Sequence, residues 1–381
     1  MSTSAAPSTL PADLSPYDAL VLLSFGGPEG PDDVLPFLRR VTAGKGIPDE
    51  RLAEVGQHYA LFGGVSPINA QNRALIAALE AELADRGFPV TVHFANRNFE
   101  PLVADTLTGL AEAGHRRVLV LTTSAYSSYS SCRQYRENLA DAVAAAEDAT
   151  GVLLEVDKIR PYALHPGFVD ANVAAVQAAL EDVRSADDAG APAPALLFVT
   201  HSIPTAMDET SGPGDGEGRL YTRQHLALAE AVTERVAAAL DLPDLQGELV
   251  FCSRSGPPQQ PWLEPDVNDR LEELAEEGVE SVVLAPIGFI SDHMEVVYDL
   301  DTEAQATAER LGLRVVRAGT AGTEAAFVRG LVDLVLERAA QARGGTPATP
   351  GLAGVEAAPA VCAPGCCPNL RTDRPALCGS D

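Results

Sequence analysis

Short runs of apolar residues alternate along this chain with longer segments in which apolar residues recur every three or four positions. The runs are typical of strands buried on both faces, and the longer segments are typical of amphipathic helices. This alternation predicts an α/β fold with helices on both faces of parallel sheets. Strands are predicted at Ala19–Ser24, Val90–Ala95, Arg117–Thr122, Leu153–Ile159, Ala195–Thr200, Glu248–Cys252, Ser281–Pro286 and Arg314–Arg317, and helices at Asn69–Asp85, Arg133–Glu147, Phe168–Val183, Arg223–Ala239 and Val267–Glu277.

Two stretches of the first half recur in the same order in the second half. Leu20–Pro28 (LVLLSFGGP) resembles Leu196–Pro204 (LLFVTHSIP), and Leu110–Leu121 resembles Leu274–Ala285. We therefore expect two similar Rossmann-like domains with a ligand cleft between them. The equivalent loop positions are then Phe25 and His201.

The predicted division of the chain follows from these elements and from composition. Residues 1–16 are rich in Ser, Ala and Pro and are predicted to be a disordered lead without the features of a signal peptide. The N-terminal domain is expected over 17–160, with a helix in 320–343 packing back on it, and the C-terminal domain over 161–319. Residues 344–381 form a tail rich in Gly, Pro and Ala that contains four cysteines.

The overall charge excludes some classes of partner. A formal net charge of -27 argues against binding to nucleic acid or to anionic membrane surfaces. No stretch approaches the ~20 apolar residues that a membrane span requires. We expect a cytoplasmic protein without stable membrane insertion. Because no large exposed apolar face stands out, we expect a monomer.

Candidate chemistry lies where predicted strands end, the edge at which parallel sheets bind ligands. His201 directly follows an apolar run, and an imidazole can accept a proton near neutral pH or bind a divalent metal. The glycine-rich segment Met207–Gly218 shortly after it is a candidate lid. Asp292, Glu295 and Asp299 are spaced by three and four residues and would share one helix face. An acidic N-cap and first turn is the alternative explanation.

Two further segments combine aromatic, hydroxyl and glycine residues. Tyr126–Tyr135 contains several hydroxyls and Arg133 at another strand end, which suits a flat ligand with polar edges, although a capping Ser cluster is equally consistent. Tyr59–Pro67 is a glycine-hinged turn before a long helix. Neither a GxGxxG nor a Walker pattern occurs, so nucleotide binding is unsupported.

The cysteines favour metal or redox chemistry over disulfides. Four of them lie within the last twenty residues, in a C-x3-C-C arrangement that is not a standard zinc-finger spacing. They are candidates for ligands of an Fe–S cluster together with a distant cysteine, with a disulfide pair or a zinc knuckle as alternatives. Cys132, beside a candidate site loop, is the better distant ligand, since Cys252 is expected to be buried in a strand.

At these residues the chain resembles the ferrochelatases, enzymes that insert ferrous iron into a porphyrin. The resemblance extends from about Ala19 to Ala342. It rests on several motifs in one order, of which the last is the most specific: Ser24–Pro28 (SFGGP), Gly63–Pro67 (GGVSP), Thr200–Pro204 (THSIP), Ser253–Pro257 (SRSGP), Pro261–Leu263 (PWL) and Pro286–Glu295 (PIGFISDHME) continuing through Tyr298–Asp301 (YDLD).

The resemblance implies a porphyrin held between two Rossmann-like domains. It assigns metal binding and proton acceptance to His201 and an acidic partner to Glu295, with Asp292 and Asp299 as supporting acids. Porphyrin-contacting positions are Phe25, Tyr59, Ser66 and Tyr135. Some members have Tyr where this chain has Phe25, and Phe cannot ligate product iron.

The resemblance also implies a cofactor and a substrate. Some members hold a [2Fe-2S] cluster with three tail cysteines and one internal cysteine. Here these would be Cys132, Cys362, Cys367 and Cys378, with Cys366 as an alternative, although adjacent Cys366 and Cys367 make an awkward pair.

The lip of the cleft is polar and includes Arg39, Arg40 and Lys45, which favours the four-carboxylate substrate coproporphyrin III over protoporphyrin IX. A cobalt chelatase of the same fold and a non-catalytic porphyrin carrier are the other hypotheses.

Overall fold

The computed structural model describes residues 14–185, 193–214, 216–256, 259–352 and 357–377. Each of the eight predicted strands is present within these ranges, and the predicted bounds agree to within two residues at most ends. The strands are β1 (Ala19–Ser24), β2 (Val92–Asn96), β3 (Arg117–Thr122), β4 (Glu155–Lys158), β5 (Ala195–His201), β6 (Gly247–Cys252), β7 (Ser281–Ala285) and β8 (Arg314–Arg317).

Helices connect successive strands, as the spacing of apolar residues predicts. Three of them adjoin π-helical segments, which are Tyr129–Arg133 before α5 and Asp299–Ala304 between α10 and α11. The helices are α1 (Val34–Val41), α2 (Asp49–Ala60), α3 (Ile68–Asp85), α4 (Val103–Glu112), α5 (Gln134–Thr150), α6 (Pro166–Ser185), α7 (Thr205–Glu209), α8 (Leu220–Leu240), α9 (Val267–Glu276), α10 (Met294–Tyr298), α11 (Gln305–Leu311) and α12 (Ala325–Ala342).

The two halves have the same sheet topology. The strand order is β2-β1-β3-β4 in the first sheet and β6-β5-β7-β8 in the second, and all paired strands are parallel. The prediction of a duplicated α/β unit is therefore confirmed. Because β1 and β5 hold the same central position, Phe25 directly after β1 and His201 at the end of β5 lie at equivalent strand ends.

One hydrophobic core extends through both halves. It contains residues of β1, β5 and β7 together with α6, α8 and α12. The ring of Phe168 at the start of α6 is fully buried between Tyr126 and Phe327, with centroids 6.3 and 5.5 Å away. Helix α12 packs on both α3 and α6. The helix predicted in 320–343 therefore contacts the first half through α3, and the domain boundary at residue 160 stays a proposal.

Hydrogen bonds between the halves fix their relative position close to the strand ends. The Tyr126 hydroxyl donates to the Ile287 carbonyl at 2.7 Å, and the Asp292 amide donates to the Gln71 side chain at 2.7 Å. Both bonds join residues far apart in sequence. They hold the loops that carry the candidate chemistry of the two halves against each other.

The described part of the C-terminal tail packs on α5 and the π-helical segment before it. Asn369 donates to the Tyr129 hydroxyl at 3.0 Å, and the Leu377 amide donates to the Arg136 carbonyl at 3.0 Å. Cys378 and most of the predicted lead lie outside the described residues. A search of the described helices finds none with the length and apolarity needed to cross a membrane.

Candidate active site

His201 and Glu295 meet at the carboxyl edge of the second sheet. His201 is the last residue of β5, and Glu295 lies in the first turn of α10, which follows β7. The imidazole Nε2 is 3.5 Å from a Glu295 carboxylate oxygen. The other ring nitrogen faces the Ser202 carbonyl, which favours the tautomer that carries its proton on Nδ1. Nε2 is therefore the nitrogen available to a proton or a metal.

The electrostatic coupling of this pair opposes the effect of burial. Burial lowers the pKa of His201, but the negative charge and hydrogen bond of Glu295 outweigh it and raise the pKa above its ordinary value. Burial likewise raises the pKa of Glu295, and the charge of His201 overcomes this and lowers the pKa to about 2. Glu295 is thus an anion at neutral pH, and it favours a cation, either a proton or a metal, beside His201.

His293 is a third member of this group that the sequence analysis missed. Its Nδ1 accepts the Glu295 amide at 3.2 Å, which makes His293 the N-cap of α10, and Nδ1 lies 3.7 Å from the Glu295 carboxylate. Burial, together with the positive charge of nearby His201, lowers the pKa of His293. The available signal was its place between the acids of the Asp292–Glu295 run.

Asp292 does not share the helix face of Glu295, contrary to the sequence prediction. The helix begins at Met294, so Asp292 precedes it instead of capping it. The Asp292 carboxylate lies 3.3 Å from Arg317 and 3.3 Å from the Thr320 hydroxyl. Arg317 therefore balances the charge of Asp292, and neither His201 nor Glu295 takes part in these bonds.

Asp299 lies one helical turn after Glu295 and has an unusual pKa. Burial raises the pKa to about 7, the repulsion of Glu295 adds to the rise, and a hydrogen bond from the Ser253 hydroxyl opposes it. Asp299 also begins the π-helical segment after α10. A carboxyl group that titrates near neutral pH is suited to exchanging protons.

Two residues of α2 reach this group from the first half. Burial and the negative charges of Glu295 and Asp299 raise the pKa of Tyr59, which places the phenol beside the acids. The neighbouring His58 stacks on Tyr298 of α10 with ring centroids 3.9 Å apart. Helix α2 therefore faces α10 across the boundary between the halves.

Phe25, Arg97 and Tyr135 form a second group, which lies in the first half. The Arg97 guanidinium lies 5.5 Å from the Phe25 ring centroid and 4.4 Å from that of Tyr135, and it bonds to Asn138 at 2.7 Å. Phe25 is 37% exposed, so one apolar ring face is open at the end of β1. The arrangement offers a flat apolar surface beside a cation.

Ser66 lies beneath the glycine loop that follows Phe25. Its amide donates to the Pro28 carbonyl at 2.9 Å, and the side chain is 4% exposed. A Cβ added to Gly27 would lie 2.7 Å from the Ser66 Cβ, so the loop requires glycine there. Ser66 thus fixes the Phe25 loop in this structure.

Arg39 and Arg40, expected to be available for substrate carboxylates, are engaged within the protein. Arg39 binds Asp49 through two bonds of 3.1 and 2.5 Å, and Arg40 lies 3.8 Å from Glu100. Lys45 differs, because partial desolvation and the positive charges of Arg371 and Arg97 lower its pKa, although the residue is exposed to solvent. Lys45, Arg97 and Arg371 therefore form a cluster of three cations, which we call the cation cluster.

Comparison with known proteins identifies the family to which this chain belongs. The ferrochelatase family model matches residues 17–339. The chain belongs to the ferrochelatase family. Its relatives include the coproporphyrin III ferrochelatases of Streptomyces coelicolor, 53% identical over 97% of this chain and 98% of the relative, and of Propionibacterium freudenreichii, 47% identical over 96% and 98%. A solved structure, SirB from Bacillus subtilis with Fe3+, is 14% identical with a TM-score of 0.48 and covers 86% of this chain and 98% of that one.

In this ferrochelatase, four cysteine side chains converge where the tail meets the π-helical segment before α5. Cys362, Cys366 and Cys367 form one buried cluster, with the sulfurs of the last two 3.9 Å apart, and Cys132 interacts with Cys362. Cys366 thus takes part in the group, which we call the thiol cluster, despite being adjacent to Cys367. Cys252 is buried in β6, as predicted.

The surroundings of the thiol cluster favour thiolates at Cys132 and Cys366, whereas the hydrogen bond with Cys366 and burial raise the pKa of Cys367. A hydrogen bond with Cys362 lowers the pKa of Cys132 to about 6, and the positive charges of Lys158 and Arg136 add to this effect against burial. Hydrogen bonds with Cys362 and Cys367 lower the pKa of Cys366 as well. No group of three or more His, Cys, Asp or Glu in the described ranges is arranged to hold a metal ion.

Proposed function

We propose that this ferrochelatase inserts Fe²⁺ into coproporphyrin III and so makes iron coproporphyrin III for haem biosynthesis. The observation that carries the proposal is the His201–Glu295 pair at the end of β5, which α2 of the first half approaches through the stacking of His58 on Tyr298. The relatives that bear the name coproporphyrin III ferrochelatase support the substrate, since they match this chain over nearly its full length at 47–53% identity.

The reaction requires that two pyrrole N–H protons leave as iron enters. His201 Nε2 is the proposed first acceptor, with Glu295 stabilising the imidazolium that forms. Only two protein groups, His201 and Glu295, are proposed to hold the iron before transfer. Such a weak, open site suits a metal that must be released to the porphyrin nitrogens.

Phe25 and Tyr135 are the proposed contacts of the macrocycle on the side of the first half. Both rings flank the Arg97 guanidinium, but Tyr135 is 5% exposed and Phe25 is 37% exposed, so Phe25 and Arg97 would supply most of the apolar and cationic surface to one ligand. Tyr59 would contact the same ligand from α2, beside Glu295 and Asp299. Ser66 would act through the loop that positions Phe25.

Asp299 is the proposed second proton acceptor, and it gives the reaction a pH dependence. Its pKa of about 7 means that the carboxyl is protonated below pH 7, where it cannot accept a proton, and ionised above pH 7. We expect the kcat of the parental protein to rise with pH through about 7. In Asp299→Asn this rise should disappear, and kcat at pH 8 should be lower than the parental value by roughly ten- to a hundred-fold. The measurement is iron insertion by absorbance from pH 6 to 8.5.

The matched control for that experiment is Asp301→Asn, which removes a nearby carboxylate that pairs with Arg317 at 2.5 Å. It should keep the parental pH profile. An Asp299→Asn profile that still rises through pH 7 would show that Asp299 is not the group that titrates.

The cation cluster is the proposed site for substrate carboxylates. Three like charges at Lys45, Arg97 and Arg371 repel one another, and a bound carboxylate would relieve that repulsion. Coproporphyrin III has four carboxylates, against two in protoporphyrin IX. The cation cluster therefore replaces Arg39 and Arg40 as the reason to expect coproporphyrin III as the preferred substrate.

We therefore expect faster anaerobic iron insertion with coproporphyrin III than with protoporphyrin IX. Lys45→Gln and Arg371→Gln should each raise the KM for coproporphyrin III about ten-fold, since each lost bond to a carboxylate is worth roughly 1.5 kcal/mol. Arg39→Gln is the control and should leave KM unchanged, because Arg39 already binds Asp49. Equal effects of all three substitutions would reject the cation cluster as the carboxylate site.

The alternatives make different predictions in the same assay. Preference for protoporphyrin IX would keep the enzyme and change the substrate, whereas faster insertion of Co²⁺ than of Fe²⁺ would favour a cobalt chelatase. Tight porphyrin binding without metal insertion would favour a carrier. The family membership favours the enzyme.

The thiol cluster is the proposed binding site of a [2Fe-2S] cluster, with Cys132, Cys362, Cys366 and Cys367 as ligands. Such a cluster needs two thiolates on each of two irons and no iron with three protein ligands. The lowered pKa values of Cys132 and Cys366 fit thiolate ligands. Cys378, proposed from the sequence as a ligand, lies outside the described residues and competes with Cys366 for that role.

We expect anaerobically purified protein to be brown and its visible absorption to be lost in Cys132→Ser. Cys252→Ser is the matched control, because Cys252 is an equally buried thiol in β6, away from the tail. Loss of the visible absorption in Cys366→Ser but not in Cys378→Ser would assign Cys366 as the fourth ligand. Colourless protein that contains zinc would reject the Fe–S proposal.

We further propose that the protein acts as a monomer in the cytoplasm.

A further inference from the structure

Tyr221 is a buried residue that connects the candidate catalytic histidine to the segment before α8. Its hydroxyl donates to the His201 carbonyl at 2.9 Å and lies 2.9 Å from the Thr200 hydroxyl. Tyr221 is 4% exposed and belongs to the core. Its ring contacts Tyr126 and His225 at centroid distances of 6.0 and 4.4 Å, so the phenol has a fixed direction.

The backbone of Tyr221 is tied to a second buried group. Its amide donates to the Ser211 hydroxyl oxygen at 3.0 Å, and that hydroxyl donates to the Asp208 carbonyl at 2.7 Å. Ser211 is fully buried. The segment Met207–Gly218, interpreted from sequence as a lid, thus includes residues that are firmly bonded in place.

The next residue, Gly212, bonds to the tail in both directions. Its amide donates to the Cys367 sulfur at 3.2 Å, and the Cys367 amide donates to the Gly212 carbonyl at 2.9 Å. The two backbones also approach closely nearby, since a Cβ added to Gly214 would lie 3.1 Å from the Gly365 carbonyl oxygen. Cys367 is 1% exposed, so both bonds are shielded from water.

We propose that the C-terminal tail positions His201 through Gly212, Ser211 and Tyr221, which makes Tyr221 a positioning residue for metal insertion. The inference rests on the proposed function. The path consists of short, buried hydrogen bonds and of the peptide bond between the neighbouring residues Ser211 and Gly212. A displacement of Cys367 therefore changes the bonds that hold the His201 carbonyl. Nothing in this path requires contact between the tail and the iron.

The proposal separates two effects of the tail. Arg371 belongs to the cation cluster, so its loss affects substrate binding and KM. Cys367 acts on the orientation of His201, so its loss affects kcat. Tyr221 acts in the same way as Cys367, because both belong to one path.

The experiment is a double-mutant cycle with Tyr221→Phe and Cys367→Ala in the full chain. We expect each single variant to lower kcat about ten-fold while KM and the dissociation constant for coproporphyrin III, measured by fluorescence quenching, stay within two-fold. The double variant should be no slower than the slower single variant, because interactions in one path are not additive.

One control is Tyr162→Phe, which removes another buried hydroxyl that donates to a carbonyl, that of Thr122 at 2.8 Å. The other is Cys362→Ala, which removes another proposed [2Fe-2S] ligand. A kcat loss in Cys362→Ala as large as that in Cys367→Ala would assign the effect to loss of the cluster and overturn the proposal.

Amide hydrogen exchange gives a readout that does not depend on activity. The Ser202 amide, which directly follows His201 and donates to the Cys252 carbonyl at 2.8 Å, should exchange faster in Tyr221→Phe and in Cys367→Ala than in Tyr162→Phe. If Tyr221→Phe does not fold, Ser211→Ala replaces it, since that change removes the hydroxyl that accepts the Tyr221 amide and donates to the Asp208 carbonyl.

Two further results would overturn the proposal. One is multiplication of the two single effects on kcat in the double variant. The other is equal exchange of the Ser202 amide in Tyr221→Phe and Tyr162→Phe. If the parental protein inserts no iron, the proposed function fails, and the exchange measurement still decides whether the tail positions His201.

Discussion

Replacing His201 by alanine is expected to lower kcat for iron insertion by about 10²- to 10⁴-fold, the usual contribution of a general base. The substitution removes the proposed acceptor of the pyrrole protons and one of the two proposed ligands of the incoming iron. It also removes from Glu295 the partner that does most to stabilise its anion, and leaves His293 at 3.7 Å. Iron insertion followed by absorbance under anaerobic conditions measures the loss.

Porphyrin binding separates a catalytic role from a structural one. The dissociation constant for coproporphyrin III should stay within a few-fold of the parental value in His201→Ala, because the proposed substrate contacts lie in the first half and, for Arg371, in the tail. His115→Ala is the matched control, since His115 also lies near a carboxylate, Asp18 at 3.5 Å, but outside the site. Parental turnover by His201→Ala would refute the mechanism and favour the carrier hypothesis.

Replacing Glu337 by alanine is expected to lower the free energy of unfolding by about 3–5 kcal/mol, because it leaves Arg160 buried without its counterion. The pair has two bonds of 2.8 and 3.1 Å, and both side chains are at most 3% exposed. It joins α12 to the chain just after β4. Since one core runs through both halves, the loss should appear as a single shift in a urea unfolding curve at pH 7.

Two comparisons test whether the burial of the charge is the cause. Joint replacement of Arg160 by Met and Glu337 by Leu should recover most of the loss, since the uncompensated charge is gone. Glu272→Gln should change the free energy by less than about 1 kcal/mol, because its pair with Arg310 is more than half exposed. A loss below about 1 kcal/mol in Glu337→Ala would show that Arg160 is solvated or finds another acceptor.

The duplicated architecture explains how one scaffold presents two kinds of chemistry. Phe25 and His201 follow equivalent central strands, yet one offers an apolar ring and the other an imidazole. The loops after β3 and β7 likewise contain π-helical segments, one with Cys132 and one that begins at Asp299. π-Helical turns are rare, and they often occur at functional sites.

The local pattern of the sequence determined the elements of this fold. The buried strands were predictable because both of their faces are apolar, and the order of the repeated stretches gave the duplication. His201 is predictable as a candidate because it lies at a strand end, and Glu295 because it belongs to the acidic run after the strand β7. Asp292 was placed wrongly, because the residue that caps a helix depends on backbone geometry, and His293 takes that position here.

Only the tertiary structure decided which side chains separated in sequence share a site. The sequence lists cations but not their partners, and it offers Cys132 only as a candidate partner of the tail cysteines. Folding pairs Arg39 with Asp49 and leaves Lys45 beside Arg97 and Arg371, and it brings Cys132 to the cysteines of the tail. The path from Cys367 to His201 is of the same kind, since its bonds join residues that no periodicity relates. Strand and helix patterns are local, whereas charge pairing and thiol clustering depend on how distant segments pack.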